Sequence, residues 1–244
     1  MSREQVYGRR AVREALRGRR EVLELWVTER ALAAEEWLRA GVGLRVQVKP
    51  ERALTGAAGT ADHQGVLAWC SPYPYADGYE LSAQPSPLLV CLDRVTDPHN
   101  LGAVCRSAEG AGATGVVVPA HGSARVTAAV CRASAGAVEH VPVAVVPNLA
   151  RFLEEVKGPD LWAWEAFASR EATPLWDTDL RGGVALVLGA EGKGVRPLVR
   201  RACDAAVSIP LAGRVESLNV SVAAAVLLYE AARQRKPAFV SADA

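Results

Sequence analysis

The residues able to act on a ligand gather in three loops, each following a short apolar run. The first reads Asp97-Pro98-His99-Asn100-Leu101-Gly102 and leads into a helical stretch that carries Arg106. The second is Leu188-Gly189-Ala190-Glu191-Gly192-Lys193-Gly194. The third runs from Ile209-Pro210-Leu211 to Glu216-Ser217-Leu218-Asn219-Val220-Ser221. Together they offer amides, a guanidinium, a carboxylate and a hydroxyl, a set suited to orienting a polar substrate. Gly189, Gly192 and Gly194 let backbone approach a ligand closely. A phosphate-cradling Walker loop is excluded, because the G-K-[ST] ending is absent. Glu191 reads either as a turn residue or as a group aimed at substrate, and Lys193 as a solvated loop charge. Arg106 projects away from the apolar stripe of Leu101, Val104, Cys105 and Ala108. It either pairs with Glu109 or faces a ligand beside Asn100.

Elements that could position these loops follow from periodicity. Strands are expected at Leu88–Leu92, Gly115–Val118, Val141–Val146, Leu161–Ala166, Val184–Leu188 and Ala206–Ile209. Helices are expected at Leu101–Gly110, Thr127–Ala135, Leu149–Val156 and from Pro197 to near Cys203. Apolar strands alternating with helices imply an α/β fold with a mostly parallel sheet covered on both faces. A last helix is expected from about Leu218 to Gln234, capped by Ser217. Gly110-Ala111-Gly112-Ala113-Thr114-Gly115 matches G-x-G-x-x-G, but the glycines end a helix and enter a strand. The order is reversed from a dinucleotide fingerprint, so they read as a helix stop and a turn.

Upstream lies a smaller α/β unit, 1–70. It has a helix around Val12, Ala15 and Leu16, strands at Val22–Val27 and Leu44–Val48, and a helix at Ala31–Arg39. A strand follows the polar turn His63-Gln64-Gly65. A proline-rich segment, 71–87, reads as a linker to the second unit, 88–244. Net charge is only +1, and lysine occurs only at Lys49, Lys157, Lys193 and Lys236, so arginine carries most of the positive charge. Base composition of the genome, growth at high temperature or phosphate recognition would each produce that bias. Arg9, Arg10, Arg13, Arg17, Arg19 and Arg20 crowd one short stretch, opposed only by Glu14. They form either a solvated helix face or a phosphate-binding patch. The five cysteines are scattered without a C-x-x-C pair, which suggests reduced core thiols and neither a disulfide frame nor a zinc site. No apolar run reaches the roughly 18–20 residues of a membrane span, and no signal peptide is apparent, so a cytoplasmic location is expected.

The three loops, in this order and spacing, resemble the three motifs of the SpoU (TrmH-type) RNA 2′-O-methyltransferases of the SPOUT class. The likeness covers about Leu88 to Arg233. Tyr7-Gly8, Val12-Arg13-Glu14-Ala15-Leu16 and His63-Gln64-Gly65-Val66 are similar to that family's ribosomal-protein-like RNA-binding domain. The combination looks most like enzymes that methylate a guanosine ribose in the peptidyl-transferase region of 23S rRNA. This resemblance implies a C-terminal trefoil knot, S-adenosylmethionine held within it, no metal, and a homodimer with substrate contacts crossing the interface. It implies that Arg106 lies beside the ribose 2′-hydroxyl or target phosphate. Arginine keeps its proton to above about pH 12, so a charge-stabilising and orienting role is favoured over that of a free base. Deprotonation would be assisted by the RNA phosphate or concerted with methyl transfer. Asn100 would position Arg106 or substrate, Glu191 would orient them, and Ser217 and Asn219 would hold the site. The cofactor would meet Ala166, Leu188, Gly189, Glu191, Gly192, Ile209, Leu211, Ser217 and Leu218. RNA would meet Arg9, Arg10, Arg13, Arg17 and Arg106. A tRNA ribose methyltransferase, an RNA-binding module without catalysis, and a nucleotide-dependent α/β enzyme are the competing readings.

Overall fold

A computed structural model describes residues 3–39, 43–169, 171–190 and 192–235. The N-terminal unit contains β1 (Glu4–Tyr7), α1 (Arg9–Ala15), β2 (Val22–Val27), α2 (Glu29–Ala34), α3 (Glu36–Arg39), β3 (Val46–Val48), α4 (Glu51–Ala58) and β4 (Val66–Cys70). Its four-stranded sheet has the order β1-β4-β2-β3. The expected helix over Ala31–Arg39 is broken at Glu35, which is extended (φ −109°, ψ 107°). There its carboxylate takes hydrogen bonds from Arg9 Nη1 (2.9 Å) and Trp37 Nε1 (2.7 Å), which offset the lost helical turn. β1 and α4 carry too short or too mixed a pattern to stand out in the sequence; β1 forms because it pairs antiparallel with β4.

The segment read as a linker is docked. Tyr73 is buried and its hydroxyl donates to Val138 O (2.9 Å). Ala76 N donates to Val143 O, and α5 (Gly78–Ser82) buries Leu81.

The second unit follows as β5 (Leu88–Asp93), α6 (Pro98–Gly110), β6 (Gly115–Pro119), α7 (Ala128–Ala133), β7 (Val143–Val146), α8 (Leu149–Val156), β8 (Leu161–Ala166), β9 (Thr173–Pro174), β10 (Gly183–Gly189), α9 (Pro197–Ala202), β11 (Ala205–Ser208) and α10 (Val220–Arg235). The seven-stranded sheet has the order β7-β6-β5-β10-β8-β11-β9 and its paired strands are parallel. Successive residues of β5 feed opposite faces, as a strand's twofold period requires. Val90 and Leu92 join a core with Val104 of α6, Val130 of α7 and Leu227 of α10. Leu89 and Cys91 join a second core with Phe152 of α8 and Val199 of α9. Each large aliphatic so buried stabilises the fold by roughly 1.5–3 kcal/mol. The first core runs on without a break into Val6, Val12 and Leu25 of the N-terminal unit. The reversed glycine motif behaves as expected: Gly110 ends α6 and Gly115 opens β6, with Gly112 at φ +73°.

Candidate functional site

The parallel register brings the ends of β5, β8, β10 and β11 to one edge of the sheet. Gly189 pairs with Asp93, and Val207 with Ala166. Ala166, Leu188, Gly189 and Ile209 therefore start or flank the loops at this edge, where open α/β sheets bind ligands. The second loop is tied back onto β5 by a fully buried carboxylate. Asp93 is 0 % exposed and accepts Arg196 N at 2.8 Å and Arg196 Nε at 2.8 Å, with Arg196 Nη2 at 2.7 Å. Its glycines do separate work. A Cβ on Gly189 would lie 2.0 Å from the carbonyl carbon of Gly194, so only glycine permits the loop to close. Gly192, exposed, adopts φ +72°. Glu191 lies outside the described residues.

Asn219 joins the third loop to the first, its Nδ2 donating to Asn100 Oδ1 at 3.1 Å across 119 residues of chain. Its other side-chain atom caps α10, with Oδ1 accepting from Ser221 N (2.9 Å) and Ser221 Oγ (2.6 Å). The cap is thus Asn219 and not Ser217, because the helix begins at Val220, two residues later than the pattern suggested. Ser217 is exposed in the loop before it, and Leu218 is half-buried.

From Pro210 to Leu218 the backbone makes no hydrogen bond to other backbone among the described residues. Those open amides and carbonyls lie next to half-buried Ile209 and 36 %-exposed Leu211. Leu188, at the end of β10, is buried in the first core.

Arg106 stands exposed on α6 while Leu101, Val104, Cys105 and Ala108 are all buried, as the helical spacing requires. It makes no pair with Glu109; it opens into a cleft of about 520 Å³ between the two units, lined also by Arg9, Arg10, Arg13 and Arg132. Arg9 is set by Gln64, whose Oε1 accepts Arg9 N (3.2 Å) and whose carbonyl accepts Arg9 Nε (3.2 Å). Gln64 holds this pose at φ +54° because His63, fully buried, accepts Gly65 N at Nδ1 and meets Thr55 Oγ1 at Nε2. The polar turn noticed in the sequence is therefore a mount for Arg9. Arg17 is not in the cleft lining; it lies 3.5 Å from Glu14. Arg20, counted with the basic stretch, is buried and bound to Glu139, with Nε 3.1 Å from Oε2. It is a structural cation, and its charge is spent inside the protein.

Two residues the sequence did not single out, Asp93 and Arg132, contribute to the site, and Gln64 does so in a role its turn did not reveal. Asp93 ends an apolar strand, and a lone carboxylate there was a usable signal. Arg132 gave none, and the turn at Gln64 was visible but not its grip on Arg9, since each depends on a neighbour more than fifty residues away. All five cysteines are free, and burial pushes the thiols of Cys70, Cys105, Cys131 and Cys203 up to about 12.

Comparison with known proteins gives a consistent answer. Residues 87–229 match the SpoU rRNA Methylase family, and residues 5–76 match the family described as RNA 2′-O ribose methyltransferase substrate binding. A Synechocystis protein named as an uncharacterized tRNA/rRNA methyltransferase is 39 % identical over 94 % of this chain, and the chain spans 62 % of that relative's length. The 23S rRNA (guanosine-2′-O-)-methyltransferase RlmB of Xanthomonas campestris is 46 % identical over 79 % of each chain. Among solved structures, the SpoU methyltransferase AviRb of Streptomyces viridochromogenes in complex with AdoMet superposes with a TM-score of 0.82 at 27 % identity, covering 96 % of this chain and 91 % of that one. The three loops at one sheet edge and the basic α/β unit beside them thus have a common explanation: this chain belongs to the SpoU family of S-adenosylmethionine-dependent RNA methyltransferases.

Proposed function

We propose that the chain methylates the 2′-hydroxyl of a guanosine ribose in 23S rRNA, in the peptidyl-transferase region. One observation carries the reading: Arg106 shares a cleft with Arg9, Arg10 and Arg13, so a reactive-site arginine and an RNA-binding face are continuous. The substrate-binding unit (1–70) delivers RNA through the docked segment 71–87 to the methyltransferase unit (88–244). S-adenosylmethionine would be held by Ala166, Leu188, Gly189, Gly192, Ile209, Leu211, Ser217 and Leu218, with Glu191 beside them, and supplies the methyl group on a sulfonium with a neutral thioether leaving group. Arg106, permanently charged, orients the target ribose and stabilises negative charge growing on its 2′-oxygen. Asn100 and Asn219, hydrogen-bonded to each other, keep the first and third loops at a fixed separation. Ser217 adds a hydroxyl to the third loop, and the family resemblance gives Glu191 an orienting role. Much of the rate then comes from holding the 2′-oxygen in line with the methyl group.

Further features belong to the same proposal. The chain past β10 forms a trefoil knot, a reading supported by the insertion of β10 between β5 and β8 and the tight closure of its loop on Gly189. The protein acts as a homodimer in the cytoplasm. No helix among the described residues is long and apolar enough to cross a membrane.

Arg106→Ala tests the catalytic role. Methyl transfer from labelled S-adenosylmethionine to RNA should fall by at least about a hundredfold, with cofactor affinity by calorimetry unchanged. Turnover near wild type would remove Arg106 from the mechanism. Primer-extension mapping of RNA from a deletion strain, methylated by the purified protein, decides the substrate: a stop in tRNA would replace the 23S rRNA assignment.

A further inference from the structure

Arg132 is the least expected member of the interdomain cleft. It comes from α7 of the methyltransferase unit, but its side-chain stem lies on the N-terminal unit. A Cβ on Gly8 would sit 2.8 Å from Arg132 Cδ, and Gly8 adopts φ +93°. The chain thus keeps a bare backbone where the arginine crosses the junction. Arg132 Nε is buried and has no hydrogen-bond partner. Among the described residues, the side chains of Arg10, Arg13, Arg106 and Arg132 make no hydrogen bond or ion pair. Among the described residues, the one carboxylate lining the cleft is Glu35, which is engaged by Arg9 and Trp37.

Five arginines facing one carboxylate in about 520 Å³ repel one another until an anion arrives. A buried N–H without an acceptor is unfavourable, and Arg132 Nε finds none within the protein. A phosphodiester suits the need: a guanidinium binds it bidentately, and successive phosphates would span arginines from both units. The two units are locked and not hinged at this point, by the buried Arg20–Glu139 pair, by the Tyr73 hydroxyl on Val138 O and by Glu14 on His140 Nε2 at 2.8 Å.

We propose that Arg132 is an RNA phosphate-binding residue, and that with Arg106 and with Arg10 and Arg13 of the same chain it forms a cleft that holds the RNA backbone in cis across the domain junction. The proposal rests on the RNA-methylation reading and adds to it the residue and the geometry of capture. Phosphates seated between Arg132 and Arg106 would fix the strand's register, so that one ribose reaches the cofactor edge.

The test uses the full chain and a radiolabelled 23S rRNA transcript, by filter binding between about 50 and 200 mM salt. Arg132→Met keeps the stem that packs on Gly8 and removes the charge. Its affinity should fall about three- to tenfold, and the slope of log K against log salt should drop by about 0.7–0.9. Arg132→Lys should restore the slope. S-adenosylmethionine affinity should not change; if the methionine variant fails to bind cofactor, Arg132→Gln takes its place. A variant with wild-type slope and affinity overturns the assignment. A wild-type protein that binds no RNA would instead overturn the methylation reading itself.

A second experiment tests the cis geometry. R106A and R10A/R13A chains, co-expressed with two tags and purified through both, should show no methyl transfer. About half the wild-type activity in such mixed dimers would mean that the cleft is completed across subunits, overturning the cis arrangement. A chain that does not dimerise leaves only the cis arrangement, and an R10A/R13A parent with wild-type RNA affinity would remove those residues from the cleft's function.

Discussion

Asn219 is a single side chain with two duties. It caps α10 through Oδ1 and reaches Asn100 through Nδ2. Asn219→Ala loses both. The cap alone is worth about 1 kcal/mol, so the denaturation midpoint should drop by that amount. Methyl transfer should fall further than stability explains, because Asn100 loses its link to the third loop. Asn219→Asp separates the two effects: the carboxylate still caps but cannot donate to Asn100 Oδ1. Stability near wild type with reduced turnover is the expected result, and full turnover would confine Asn219 to the cap.

At the scale of elements, the carboxyl ends of β5 and β10 are held as a pair by Asp93 and Arg196. Asp93 has no access to solvent and satisfies both a backbone amide and a guanidinium from the second loop. Asp93→Ala strands those donors. The expected cost is about 1–3 kcal/mol, read by urea denaturation. The loop that starts at Ala190 would lose its anchor, so S-adenosylmethionine affinity by calorimetry should weaken as well. A variant that loses stability but binds cofactor normally would make the anchor purely structural. The same scale explains the limits of pattern reading. β8 and α8 were legible to the residue, because Leu161–Ala166 and Leu149–Val156 carry an unbroken twofold or helical period. The break at Glu35 was not, since it depends on Arg9 and Trp37, and no local pattern contains that meeting.

At the scale of the whole molecule, the two sheets share one continuous core, and a buried ion pair crosses between them. Side chains of Arg20 and Glu139 are each 1 % exposed. Glu139→Gln leaves the guanidinium with only the part-exposed Glu4 carboxylate, 3.2 Å from Arg20 Nη1, and should cost about 3 kcal/mol, whereas Arg20→Met with Glu139→Leu should cost far less. Equal losses would mean that packing, and not charge, binds the units. Buried thiols give a second whole-molecule signature. Burial raises Cys70, Cys105, Cys131 and Cys203 from the ordinary 9.0 to about 12. The folded state therefore holds protons that the unfolded chain releases. That contribution is fully present below pH 9 and is lost progressively as pH rises from about 9 to about 12. Denaturation midpoints measured across that range should fall, and Ser or Ala at these positions should flatten the fall.

The sequence by itself determined the parallel α/β architecture, the three loops and the exposed place of Arg106, because period and motif order are properties of neighbouring residues. It also marked the basic helix near the N-terminus, although not which of its arginines face outward. Only the tertiary structure separated Arg20, neutralised inside the junction, from Arg10 and Arg13, left open to an anion. Only it joined Asn219 to Asn100, Asp93 to Arg196 and Gly8 to Arg132. Each of those pairs is distant in the chain and meets only because the strands close into one sheet and the two units share one core, a geometry that no local pattern encodes.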